Sequence, residues 1–276
     1  MKIFLALILL STSAWAEIFE VHSVARHRVR EKSWIVKFAD GRVGFWKEDE
    51  DPQLDPGSLG RTLIDAQLDP NHELTGIRII DHLQELQTTK PEKSLTLPGY
   101  VPTVYPTYRF ATDVLTGMRR QWTRDSQCYD RSHIWAYEEA VYGQRYLQKA
   151  FLFFSDDYIA RYNYPWWFHT APYAKVRLNG EVVDRVMDPG FAQYPLKFKL
   201  WTDLFMKNKA QCKVVEKYSG YSQHGGEDDC YLILTTMYFW QPKDLEAYEN
   251  SGVLKTRYID WEIRHAYQYG FNIYLP

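Results

Sequence analysis

The feature that most constrains how this chain folds is the dipeptide Asn179-Gly180, set between two strand-like runs, Trp166 to Leu178 and Glu181 to Pro189. Asn-Gly supplies the two positive-φ residues of a type I′ turn, so it predicts a two-residue β-hairpin. Paired residue numbers then sum to 359, which sets Leu178 against Glu181 and Lys175 against the opposite charge of Asp184. The same register puts His169 opposite Gly190 and Ala171 opposite Asp188. His169 and Asp188 become diagonal neighbours on one face, with Cβ atoms roughly 7 Å apart or a little less. A slip of one residue would send the two side chains to opposite faces.

A carboxylate bonded to one imidazole nitrogen orients the ring and stabilises its charged form, leaving the other nitrogen to accept a proton. A satisfied core histidine beside an Asp-Pro-Gly turn explains the same residues without chemistry. The third residue that bears on the choice is Cys128, in the stretch Ser126 to Trp135. Ser126 is expected as the N-cap, with Cys128 in the first turn of a helix that runs through Ala140. Unpaired backbone N–H groups and the positive end of the helix dipole gather there, and both favour a thiolate. Taken alone, a cysteine on a helix is more often a small buried hydrophobe.

Cysteine number sharpens the reading. The chain has three, Cys128, Cys212 and Cys230. Cys212 and Cys230 flank a loop rich in Gly, Ser and Asp and are expected to form a structural disulfide, contributing roughly 3 kcal/mol by chain-entropy reasoning. Cys128 is left over. A cysteine on a helix, followed by a histidine and an aspartate on one sheet face, is the nucleophile–base–orienter order of papain-like and transglutaminase-like enzymes.

Met1 to Ala16 has the form of a secretory leader: Lys2, an apolar run, then Ala14-Trp15-Ala16 as a cleavage site. Export is therefore expected, with no membrane association after cleavage, since no other stretch is long and apolar enough to span a bilayer. Residues 17–92 read as a small β-rich domain, with strand pairs at Ser33–Phe38 and Val43–Trp46 and at Thr62–Leu68 and Leu74–Ile80. Gln87 to Ser94 is a polar linker, and residues 93–276 form the larger domain. Within it, Thr107–Arg120, Phe198–Lys207, Lys243–Glu249 and Arg257–Tyr269 have helical character, Tyr146–Phe154 reads as a buried strand, and Asp156–Pro165 as a loop. The net charge of −2 gives no reason to expect nucleic acid as a partner. His22, His27 and His72 are scattered, and His224 with Glu227, Asp228 and Asp229 reads as a solvated loop, so neither a metal nor another cofactor is expected.

The run Cys128-Tyr129-x-Arg131-x-His133 resembles the nucleophile motif of secreted bacterial protein glutaminases, the protein-glutamine deamidases. The strand ending at His169 and the run Met187-Asp188-Pro189 resemble that family's histidine strand and Asp-Pro motif, at similar separations. The resemblance spans about Leu95 to Leu245. It implies an α+β, transglutaminase-like (papain-like) cysteine-hydrolase domain, with the cysteine on a helix packed against an antiparallel sheet. It implies a triad of Cys128, His169 and Asp188, and hydrolysis of glutamine side chains to glutamate with release of ammonia. The implied partners are proteins or peptides bearing exposed glutamine, met by a monomer. The family also has an N-terminal pro-region, and residues 17–92 lie where it would. Two features depart from the family: one expected disulfide instead of many cysteines, and Trp166-Trp167 before the histidine. These tryptophans are candidate walls of a substrate slot, or simple core packing. Arg131 and His133 are read as structural. A transglutaminase, a thiol peptidase and a non-catalytic exported binding domain of the same fold remain alternatives.

Overall fold

In the computed structural model of the chain, residues 17–26, 32–38, 41–50, 54–55, 59, 62–82, 95, 97–122, 125–221 and 228–275 are described. The leader Met1 to Ala16, the linker Gln87 to Ser94, His27, His224 and Glu227 lie outside them. The chain divides into two compact units, Met1–Thr88 and Thr89–Pro276.

The first unit is an antiparallel sheet of β1 (Glu17–Arg26), β2 (Ser33–Phe38), β3 (Val43–Lys47), β4 (Thr62–Leu68) and β5 (Leu74–His82), in the order β3-β2-β1-β4-β5. Phe19, Val21, Val36, Phe38, Trp46, Ile64, Ala66 and Leu74 form its core. The strand β1 was not expected from the sequence. A register shift between Val21 and Ser23 interrupts its alternation, as a bulge does.

The second unit holds a six-stranded sheet. Its elements begin with β6 (Val104–Tyr105), α1 (Tyr108–Gly117), α2 (Cys128–Val141), β7 (Gln148–Phe154) and α3 (Asp156–Tyr162). They continue with β8 (Phe168–Leu178), β9 (Glu181–Val186), α4 (Phe198–Thr202), β10 (Lys213–Val214), β11 (Cys230–Thr236), α5 (Pro242–Ser251) and α6 (Asp260–Phe271). The sheet order is β10-β11-β7-β8-β6, with β9 also on β8. The pairs β11–β7, β7–β8 and β8–β9 are antiparallel; β6–β8 and β10–β11 are parallel.

Every residue of β7 and β11 is buried, because both faces of these strands are covered. Ala150, Leu152 and Phe154 meet Tyr158, Trp201, Phe205 and Met206 on one face. Phe151 and Phe153 meet Leu97, Phe239, Leu245 and Leu254 on the other. Lys213 pairs with Tyr231 in the parallel ladder, so the residues just before them, Cys212 and Cys230, are neighbours and form the disulfide with Cα atoms 4.7 Å apart.

Three local expectations need correction. Asp156 to Tyr162 is a helix, not a loop: Ser155 caps it by accepting from the Tyr158 amide, and Asn163 ends it in the left-handed conformation. The helix expected over Phe198–Lys207 is regular only to Thr202. Gln127, not Ser126, caps α2. The Gln127 carbonyl accepts the Arg131 amide at 3.3 Å, while the Ser126 hydroxyl accepts from the Arg131 guanidinium at 2.7 Å.

Candidate active site

The hairpin forms in the expected register. Leu178 pairs with Glu181, Lys175 with Asp184 and Tyr173 with Val186. The Lys175–Asp184 pair closes at 2.8 Å. Past the last ladder pair the two chains still run together, since the Met187 amide donates to the Pro172 carbonyl at 2.8 Å. Asp188 thus follows directly on the strand, and its carbonyl accepts the amides of Phe191 and Ala192 at 3.1 and 2.9 Å. That turn holds the carboxylate toward His169, whose Nε2 lies 2.8 Å from Asp188 Oδ2.

His169 is 3% exposed and Asp188 1%. His169 sits in an aromatic box, with ring centroids of Phe205 at 4.5 Å, Phe191 at 5.1 Å, Trp201 at 5.7 Å and Trp166 at 5.9 Å. The Trp201 indole N–H donates to the same Asp188 oxygen at 2.9 Å. Trp201 is fully buried, so this carboxylate is its outlet for a donor that must be satisfied.

Cys128 is the first residue of α2, half-buried and not in a disulfide. It is close enough to His169 to help hold the proton on the ring. Nε2 is engaged by Asp188, which leaves Nδ1 for the thiol. Burial pulls the imidazolium down, but the charge and hydrogen bond of Asp188, with the contact of Cys128, outweigh it and raise His169 to about 9. The arrangement can hold a proton on the ring at neutral pH and pass it to a leaving group. The Cys128 amide, at the first helical position, has no intrahelical acceptor and suits a developing oxyanion.

The two tryptophans part company. Trp166, 40% exposed, stacks on His169 at an interplanar angle of 23°. Trp167, 38% exposed, packs on Phe168 with centroids 4.5 Å apart, and Phe168 in turn stacks on Tyr129 beside the cysteine at 6.1 Å. Sequence reasoning missed Trp201, Phe191 and Phe205. An indole in an amphipathic segment carries no mark that its N–H meets a carboxylate. Among the described residues no group of three or more His, Cys, Asp or Glu side chains is placed to hold a metal.

His133, five residues after Cys128, points into the protein and is fully buried. Its Nε2 bonds Glu262 of α6, and its Nδ1 lies 2.6 Å from Lys149 Nζ of β7. Lys149 also donates to the Phe239 carbonyl at 2.8 Å. Asp130 accepts from the Trp240 indole at 3.0 Å. These bonds anchor α2 from behind, and Gly270 of α6 lets the two helices meet: a Cβ there would come within 3.3 Å of Asp130 Cβ.

Comparison with known proteins falls on this region. The sequence model of a family described as glutaminase matches residues 109–205. No curated protein sequence matches the chain. Among solved structures, a crystal structure of pro-protein-glutaminase is similar at 13% identity and a TM-score of 0.35, over 81% of this chain and 82% of that one. A crystal structure of protein-glutaminase is similar at 12% identity and a TM-score of 0.38, over 60% and 86%. The solution structure of protein-glutaminase from Chryseobacterium proteolyticum is similar at 11% identity and a TM-score of 0.35, over 51% and 77%. The segment of this chain that carries Cys128, His169 and Asp188 lies within the glutaminase match.

Proposed function

We propose that this protein deamidates glutamine side chains in proteins or peptides through a triad of Cys128, His169 and Asp188. The observation that carries the reading is His169, held at 2.8 Å by Asp188 on Nε2 and facing the helix-borne Cys128 with its other side. The glutaminase match over residues 109–205 supports the choice of substrate bond.

The Cys128 sulfur attacks the side-chain carboxamide carbon, and the tetrahedral oxyanion forms beside the start of α2. His169 gives its proton to the amide nitrogen, the C–N bond breaks, ammonia leaves and a thioester remains. Consuming the thiolate removes the Cys128 contribution that raises His169, which favours the neutral ring the next step requires. His169 takes a proton from water, hydroxide adds to the thioester, and glutamate departs as the sulfur recovers its charge. Asp188 holds the ring in one orientation throughout.

The fold reading that goes with this mechanism is a transglutaminase-like, papain-like α+β domain over residues 93–276, preceded by a separate small domain over residues 17–92. Trp166 and Trp167 are read as the walls of the approach to the thiol. The disulfide supports an oxidising, exported setting; no described helix is long and apolar enough to cross a membrane. The test is ammonia release, with Gln-to-Glu conversion mapped by mass spectrometry, on a protein substrate such as casein. Activity lost in Cys128→Ala supports the proposal. Ammonia only with an amine acceptor and cross-linked product, or cleaved peptide bonds, would replace it with a transglutaminase or a peptidase. Repeating the assay on a chain beginning at residue 93 shows whether the small domain restrains activity.

A further inference from the structure

Arg131 belongs to the motif around the nucleophile, yet the reaction above gives it no part. It lies one turn after Cys128 on α2, and helical side chains lean toward the N-terminus, so its guanidinium returns to the start of the helix. Nη1 donates to both oxygens of Ser126, the carbonyl at 2.5 Å and the hydroxyl at 2.7 Å. Ser126 is two residues before Cys128, in the segment that aims the cysteine and its amide. The guanidinium carbon also lies 5.5 Å from the centre of the Trp122 ring. Trp122 borders the other end of the site: a Cβ on Gly190 would lie 3.8 Å from Trp122 and 3.4 Å from Asp188 Oδ1.

We propose that Arg131 is a positioning residue that ties the Ser126–Cys128 segment to the Trp122–Gly190 side of the Asp188 turn, and so sets the sulfur and its amide against His169. Three facts favour this over surface ion pairing. Among the described residues the hydrogen-bond partners of the Arg131 side chain are a carbonyl and a hydroxyl, not a carboxylate. Nε is buried without a partner among the described residues, so the guanidinium is placed for the clamp rather than for the most bonds it can make. Burial pulls Arg131 below its ordinary range, and among the charges that hold it up are those of both Cys128 and Asp188. A fixed cation at that point also offsets the negative charge of sulfur and carboxylate without taking a proton from either.

The inference rests on the proposed triad, and the experiment separates the two. Arg131→Gln, Arg131→Lys and Ser126→Ala are compared with wild type in kcat and KM for ammonia release from casein, and in the rate of Cys128 alkylation by iodoacetamide at pH 7. Arg131→Gln is expected to lower kcat about 100-fold with KM little changed, the cost of a nucleophile displaced by about an ångström, and to slow alkylation. Arg131→Lys keeps the charge, so it should recover much of the alkylation rate but little of kcat. Ser126→Ala, which keeps the carbonyl bond, should lose less kcat than Arg131→Gln. A kcat within about twofold of wild type in Arg131→Gln, a loss confined to KM, or full recovery of kcat by Arg131→Lys would overturn the clamp. If Arg131→Gln does not fold, the lysine and Ser126→Ala variants decide, and wild-type kcat in both overturns it. If wild type releases no ammonia the deamidase reading fails, while the alkylation rates still test Arg131.

Discussion

The protein buries two histidine–carboxylate pairs, and they are tuned in opposite directions. His169 with Asp188 and His133 with Glu262 are all almost wholly inaccessible to solvent. Both histidines have one ring nitrogen against a carboxylate. The third neighbour differs. His169 has a thiol, and Asp188 and Cys128 together raise it to about 9 against the cost of burial. His133 has the Lys149 ammonium, and burial and that cation hold it well below the ordinary range. A neutral His133 can accept from Lys149 on one nitrogen and donate to Glu262 from the other, so it works as a bridge between opposite charges. A histidine bonded to a carboxylate is therefore not a base by that fact. The group on its far side decides whether the proton is available for transfer.

That contrast can be broken experimentally, and the largest effect is expected at the thiol. Cys128→Ala should reduce ammonia release by at least about 10⁴-fold, as for the loss of a triad nucleophile, with stability nearly unchanged. Asp188→Asn should lower kcat roughly 10³-fold and move the alkaline limb of the pH profile downward, because the charge that raises His169 is gone. Its counterpart Glu262→Gln should leave kcat within about tenfold of wild type. Equal losses in the two variants would erase the distinction.

Lys149→Met leaves Glu262 buried without its cation and should cost about 3–5 kcal/mol in urea unfolding, with Lys149→Met/Glu262→Leu losing less. Lys149 is lowered to about 7 and Glu262 raised to about 7, both chiefly by burial, so this pair is already near the limit of what the interior tolerates. His169 predicts a further pH dependence of stability. Its folded value lies above its unfolded one, so its contribution is complete below about pH 6.5 and disappears as pH rises through about 9. The size is on the order of 3 kcal/mol. Urea unfolding of wild type and His169→Gln across that window checks it, and parallel curves would contradict it. Among the variants around the proposed triad the smallest change is expected from Trp201→Phe, which keeps the ring and removes one N–H from Asp188: kcat about tenfold lower at constant KM, within the range for a hydrogen bond to a charged group.

How much of this was legible in the sequence depended on distance along the chain. The hairpin is local, so Asn179-Gly180 gave its register and predicted that His169 and Asp188 share a face. The disulfide followed from two cysteines around one loop. The bridge at His133 was not readable, because Glu262 lies 129 residues away and nothing in a helical pattern names its partner. Trp201 was hidden for the same reason. The missed helix at Asp156–Tyr162 is different: its Ser155 cap, two acidic residues in the first turn and Asn163 at the end were all visible. Its aromatic and charged composition favours a loop, and the caps at both ends outweigh that composition. The N-cap of α2 was misplaced by one residue because Ser126 prefers that role in isolation, and only the folded chain brings Arg131 back onto it.

The most direct test of the central claim is to trap the intermediate. A glutamine-containing peptide is mixed with the protein, the reaction is quenched in acid within its first turnovers, and the digested protein is mapped by mass spectrometry. The account predicts peptide joined to Cys128 with the loss of one ammonia, and Asp188→Asn should retain some of this adduct. Ammonia release with no adduct on Cys128, or an unchanged rate in Cys128→Ala, would contradict it.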